Sequence, residues 1–117
     1  MYEIDALFAR AIALEDAGRG DEALEQYRKL LDQAPGHADA WHNRGLLLAR
    51  LGRLAEAEES HRKYIQAVPQ SDRARVDLAD VLLALGRYEA AIAALDWVIE
   101  RNASDAPARD LLYLPSR

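Results

Sequence analysis

Apolar residues recur along this chain at the three- and four-residue spacing of amphipathic helices, in six successive stretches. In the first stretch, Leu7, Ala11 and Leu14 share one helix face, and the stretch ends just before Gly18. Because glycine adopts positive φ without strain, it is typical of the position just after a helix. Apolar and polar residues alternate nowhere over the length of a strand. The pattern therefore predicts an all-α fold.

The helical pattern returns every 34 residues, and Gly-Arg pairs that begin at Gly18, Gly52 and Gly86 mark the period. Other residues share this spacing: the small residues Ala11, Gly45 and Ala79, the alanines Ala23, Ala57 and Ala91, and the series Pro35, Pro69 and Ala103. A fixed period of this size is typical of stacked repeats, in which each unit buries its apolar face against its neighbours. The small residues predict close crossings between the two helices of a unit.

We predict a single domain over residues 1–117 that contains three helix–turn–helix hairpins, at 4–37, 38–71 and 72–105. Residues 106–114 have two interpretations. They form a short C-terminal helix that covers the last apolar face, as a solenoid requires, or they begin a fourth repeat. Pro115 ends the helix early in either case.

Composition limits the classes of function. Half of the residues are hydrophobic and 30% are charged, as in a folded domain, and the net charge of −5 disfavours binding to nucleic acid or anionic lipid. Cysteine is absent, and no apolar run reaches the length of a membrane-spanning helix. The first residues lack the features of a signal peptide, so we expect a cytoplasmic protein. The predominance of arginine over lysine suggests a bacterial source.

The chain offers little for catalysis or metal binding. Its histidines, His37, His42 and His61, include no pair at i and i+4, the usual helical arrangement of metal ligands. His61 occupies an apolar position of its helix, and we expect it to be an interior histidine with a local hydrogen bond. The sequence from Ser60 to Lys63 has the form S-x-x-K but lacks the companion motifs of that chemistry. We therefore predict no enzyme activity, no cofactor and no metal.

The 34-residue pattern resembles the tetratricopeptide repeat, most clearly at Trp41, Gly45, Ala57 and Pro69 of the second unit. This resemblance implies a right-handed solenoid whose first helices line a concave groove. It also implies a protein–protein interaction module that binds a peptide or an amphipathic segment of a partner.

The groove positions implied by the resemblance lie on the first helix of each unit. They are Asp5, Phe8, Ile12, Asp39, His42, Asn43, Leu46, Arg50, Arg73, Val76, Asp77 and Asp80. They combine an apolar floor with more carboxylates than guanidinium groups. Such a surface favours a segment that is apolar on one side and basic on the other.

One subclass of the family can be compared residue by residue. Tetratricopeptide co-chaperones hold an acidic C-terminal peptide with two lysines, two asparagines and an arginine. The matching positions in this chain are Phe8, Ile12, Asn43, Arg73 and Asp77. Only Asn43 is retained, Arg73 preserves a charge, and Asp77 reverses one. The sequence therefore argues against binding of a chaperone tail.

Two further hypotheses remain. Similar arrays position substrates for larger enzymes such as glycosyltransferases, and the chain would then be a fragment. Alternatively, the C-terminal face self-associates, for example as a homodimer through Trp97 and Tyr113. Trp97 itself has two interpretations. The terminal helix covers its ring, or the ring is exposed and forms the contact with another copy.

Overall fold

The computed structural model describes residues 2–103, which form six helices and no strand. Their bounds are α1 Glu3–Asp16, α2 Gly20–Gln33, α3 Ala38–Arg50, α4 Leu54–Ala67, α5 Asp72–Ala84 and α6 Tyr88–Ala103. Consecutive helices pair as three hairpins, α1 with α2, α3 with α4 and α5 with α6, and the hairpins stack through α2–α3, α4–α5 and α3–α5 contacts. The chain is an all-α repeat solenoid, as predicted.

The first helix of every hairpin ends in the same way. Gly18, Gly52 and Gly86 have φ values of 77°, 80° and 78°. In the first hairpin, the Arg19 amide donates to the Leu14 carbonyl at 2.8 Å, and the Gly18 amide donates to the Glu15 carbonyl at 2.9 Å. The equivalent bonds occur at the other two glycines. This is the Schellman arrangement, which requires a residue in the left-handed region, so the prediction from the glycines is confirmed.

The helices of a hairpin approach closely through small residues. Ala11, Ala23, Ala57, Ala79 and Ala91 are completely buried, which confirms their predicted place in the crossings. At Gly45 the approach is closer still. A Cβ atom on Gly45 would lie 2.5 Å from Cε1 of the His61 ring, so that crossing excludes even alanine unless the ring moves.

Helix α6 runs two residues farther than the equivalent end of α2, because Ala103 stands where Pro35 ends the first hairpin. The segment 106–114, predicted as a terminal helix or partial repeat, lies outside the described residues. Within residues 2–103, every helix is too short or too polar to cross a membrane.

Candidate functional site

The exposed side chains of α1, α3 and α5, which we call the first-helix face, include most of the predicted groove residues. Ile12, Leu46 and Val76 are 36%, 37% and 36% exposed, so each first helix contributes at least one partly exposed aliphatic side chain, and α5 also exposes Leu83. The charged members that are exposed with them are Asp5, Asp39, Arg50, Arg73 and Asp80. Of the predicted groove residues, the exposed charged ones are thus three carboxylates and two arginines.

Phe8 belongs only partly to this face, because it helps to join the first two hairpins. Its ring meets Tyr27 edge-on, with 6.4 Å between ring centroids, and tilts against His37 at 5.3 Å. His37 itself begins α3, since its Nδ1 accepts a hydrogen bond from the Ala40 amide at 3.1 Å. Phe8 is half-buried as a result.

Glu15 connects three helices at the same joint. One carboxylate oxygen accepts from the Tyr27 hydroxyl, and the other lies 2.9 Å from Nη2 of Arg50. Burial raises the pKa of Tyr27, the bond to Glu15 raises it further, and a hydrogen bond from Asn43 acts in the opposite direction. Arg50, one of the predicted groove residues, therefore already has an anionic partner. The sequence could not show this, because Glu15 and Arg50 lie 35 residues apart.

Asp77 corrects the predicted groove. It is only 7% exposed, and its Oδ2 lies 3.2 Å from Nδ1 of His42 across the α3–α5 contact. The His42 ring also tilts against Tyr64, with centroids 4.9 Å apart. Burial raises the pKa of Asp77, and the charges of His42 and Arg73 lower it. Asp77 and His42 thus form the joint between the second and third hairpins, and Asp77 is not an open groove residue.

His61 is an interior histidine, as predicted, with 1% of its surface exposed. Burial, and to a lesser extent the charge of the nearby His42, lowers its pKa to about 4. The expected local hydrogen bond is missing at Nδ1, which is buried without a partner among the described residues. The ring instead fills the space that the missing side chain of Gly45 leaves.

The exposed charges of the second helices and the turns before them are largely paired within one helix. The pairs, at 2.5–2.9 Å, are Arg19–Glu22, Arg28–Glu25, Arg28–Asp32, Arg53–Glu56 and Arg62–Glu58. A cleft of about 450 Å³ between α2, α3 and α4 is lined by several of these charges and by Trp41 and Arg44. Because its cations and anions already neutralise one another, it shows no clear preference for a charged ligand.

Arg75 takes the place that Trp41 occupies one repeat earlier. Nε1 of Trp41 donates to the Pro35 carbonyl at 2.7 Å, and Nη1 of Arg75 donates to the Pro69 carbonyl at 2.5 Å. Sequence reasoning missed this role of Arg75, although the matching intervals from Trp41 to Arg75 and from Pro35 to Pro69 contained the signal.

Trp97 is half-buried under two arginines. The Arg75 guanidinium lies 3.6 Å from its ring centroid, and that of Arg101 lies 5.2 Å away. Both distances are those of cation–π contacts. The proposed contacts of Trp97 with the terminal segment, and Tyr113 itself, lie outside them. Among residues 2–103, no cluster of three histidine or acidic side chains is arranged to hold a metal ion.

Family comparisons agree with the repeat geometry. Two models described as tetratricopeptide repeat match residues 8–72 and 48–112. The chain has no significant match among curated protein sequences.

Solved structures with a similar fold include three of different kinds. MamA superimposes with a TM-score of 0.81 at 22% identity, over 87% of this chain and 56% of the MamA chain. The TPR2B domain of yeast Sti1, in its complex with pHsp70, gives 0.78 at 23% identity, over 94% and 90%. The Yersinia enterocolitica type III secretion translocator chaperone SycD, in an alternative dimer, gives 0.78 at 16% identity, over 96% and 84%. This chain therefore spans little more than half of the MamA chain and nearly all of the Sti1 domain.

Proposed function

Because this chain belongs to the tetratricopeptide repeat family, we propose that it is a non-catalytic protein-interaction module that binds a partner segment on its first-helix face. The observation that carries this proposal is the set Ile12, Leu46 and Val76, which gives each first helix at least one partly exposed aliphatic side chain. Burying such side chains under a ligand releases about 25 cal/mol for each Å² of apolar surface, so they can supply affinity.

Charge determines which segment fits. Asp5, Asp39 and Asp80 are exposed around the aliphatic side chains and lie in no ion pair within the described part of the chain. Among the predicted groove residues, Arg50 is held by Glu15, which leaves Arg73 as the arginine without an ion pair in the described part of the chain. We therefore propose an amphipathic partner segment that is apolar on one side and predominantly basic on the other.

An acidic chaperone tail does not fit this surface, although the Sti1 domain was solved in a complex with pHsp70. At the five matching positions this chain has Phe8 and Ile12 in place of polar groups, and it buries Asp77 where that subclass has a cation. An acidic peptide would meet exposed carboxylates. The cytoplasmic location and the bacterial source stay predictions.

The decisive substitution is Leu46→Asp, measured against a partner isolated from the native host on the wild-type protein. We expect the dissociation constant to rise at least about tenfold, or about 1.4 kcal/mol, because a buried apolar contact becomes a desolvated charge. Isothermal titration calorimetry measures the affinity, and circular dichroism checks the fold. Ile92→Asp is the matched control, because it places the same charge at an exposed aliphatic residue of α6. Equal affinities for wild type and Leu46→Asp would reject the first-helix face as the site.

Self-association is the second candidate, and the outer face of α6 favours it. Ile99 is 62% exposed, whereas Leu31, at the same register two repeats earlier, is only 8% exposed because the next hairpin covers it. Ile92 is also half exposed. A second copy could cover this face. Sedimentation velocity over a range of concentrations tests the idea, since Ile92→Asp should then abolish any association that the wild type shows.

A further inference from the structure

Three charged residues occupy one register position on the first helices. Asp5, Asp39 and Arg73 follow one another at intervals of 34 residues, each in the first turn of its helix or next to it. All three are exposed, and none of them forms an ion pair within the described residues. Successive hairpins therefore present two anions and then a cation along one edge of the first-helix face.

The row differs in this respect from several arginines of the first two hairpins, which are already paired within the chain. Arg50 and Glu15 neutralise each other between α1 and α3 at 2.9 Å, and the arginines Arg28 and Arg53 pair within their own hairpins. The row thus keeps its charges available to a molecule outside the chain.

Asp77 lies one turn along α5 from Arg73 but is directed to the joint between the hairpins. It is only 7% exposed, and its Oδ2 lies 3.2 Å from Nδ1 of His42 in an ion-pair contact. Burial raises the pKa of Asp77 and the charge of Arg73 lowers it, yet the two residues form no ion pair. The Arg73 guanidinium therefore has no direct anionic partner in the described part of the chain.

We propose that the row of Asp5, Asp39 and Arg73 reads the order of charges in the bound segment, an inference that rests on the proposed function. The segment places a basic side chain against each aspartate and an acidic side chain against Arg73, with apolar residues between them over Ile12, Leu46 and Val76. For successive first helices we take the spacing typical of packed helices, about 8–10 Å. An extended chain advances about 3.3 Å per residue, so the charges of the segment are then about three residues apart. The order of charges is base, base, acid along the hairpins from first to third.

Three synthetic peptides of identical composition test this order by fluorescence anisotropy at low salt. Each contains two lysines and one glutamate at three-residue spacing, separated by the same apolar residues. The glutamate is last in one peptide, first in the second and central in the third. The peptide can bind with either end at the first hairpin, so the matching order can have its glutamate first or last. We expect one of the two peptides with a terminal glutamate to bind at least about fivefold more tightly than the peptide with the central glutamate.

A charge reversal in the protein provides the internal control. Arg73→Asp should remove the preference for a terminal glutamate. The variant should instead favour a fourth peptide, in which a third lysine replaces that glutamate. Arg10→Asp makes the same change of charge at an exposed residue of α1 outside the row, and it should leave the order of affinities unchanged. High salt should reduce the discrimination, because these charges are exposed and therefore screened.

The outcomes separate this inference from the proposed function. Equal affinities for the three peptides, with binding still weakened by Leu46→Asp, would overturn the charge order and leave groove binding in place. Binding that Leu46→Asp does not affect, or no binding by any of the three peptides, would contradict both. A preference for the central glutamate would also overturn the charge order.

Discussion

The second and third hairpins share one register but fill their helix crossings differently. In the second hairpin, Gly45 faces the ring of His61, and the contact is so close that no Cβ fits. In the third, Ala79 and Leu95, 34 residues farther on, pack in one apolar cluster. The comparison shows that a small residue can be reduced to glycine when a planar ring takes the vacated space. It also shows that this exchange places an imidazole inside the second hairpin, at the register that Leu95 occupies in the third.

The largest expected effect of this difference is on pH dependence. The pKa of His61 is about 4 in the folded chain, against 6.5 for an ordinary histidine. Folding therefore favours the neutral ring. The stabilisation that the neutral His61 ring provides is complete above about pH 6.5 and is lost as the pH falls towards about 4. We expect the free energy of unfolding to fall by about 2–3 kcal/mol over this range from His61 alone.

Urea unfolding at neutral and at acidic pH measures this change, with His61→Leu as the control. The control gives the second hairpin the residue that the third has at Leu95. Burial raises the pKa of Asp77, so the cost of burying its charge disappears when acid protonates it. Asp77 therefore changes the free energy of unfolding with pH in the opposite direction to His61. Because Asp77 is present in both proteins, its effect cancels in the difference between them. Identical pH profiles for wild type and His61→Leu would contradict the assignment to His61.

A smaller effect is expected from Gly45→Ala. The new methyl group would lie 2.5 Å from the His61 ring, so the crossing must open, and we expect a loss of about 1–3 kcal/mol of stability. In the His61→Leu background the same change recreates the pairing of the third hairpin. There it should be neutral or stabilising by up to about 1 kcal/mol, because alanine is the better helix former.

The four proteins of this double-mutant cycle can be compared by urea denaturation. The contrary outcome is that Gly45→Ala lowers the free energy of unfolding by the same amount in both backgrounds. That additive result would show that the contact with the His61 ring is not the reason why position 45 requires glycine.

The smallest expected effect concerns Arg75, which replaces the tryptophan of the second hairpin. Arg75→Ala removes both the bond to the Pro69 carbonyl and the contact with the Trp97 ring, so we expect a loss of about 1 kcal/mol. Arg75→Trp restores the donor that Trp41 provides and should lose less. Thermal unfolding of both variants tests this. A loss for Arg75→Trp as large as that for Arg75→Ala would mean that the shared hydrogen bond is unimportant.

The fold could be predicted because its determinants are local or periodic. A glycine such as Gly18 reports a left-handed backbone position by itself, and the alanines at the crossings reveal their burial through their spacing. The exposed part of the face was also predictable, since Ile12 and Leu46 point away from their partner helix at the same register.

The remainder of the site depends on side chains that meet across hairpins. The burial of Asp77 against His42 and the capture of Arg50 by Glu15 involve residues 35 apart, which no helical periodicity connects. Such contacts depend on how far one hairpin rotates against the next, and a one-dimensional pattern does not contain that angle. A charge on a predicted face can therefore belong to a joint between repeats.

The glycine turns also have a kinetic consequence. Each one is closed by hydrogen bonds between residues three to five positions apart, so it forms without waiting for distant parts of the chain. A chain of such units has low contact order, and chains of that kind fold fast and can nucleate at any unit. Three nearly equivalent starting points thus compete along this polypeptide. A substitution that slows one of them should reroute folding through the other two rather than block it.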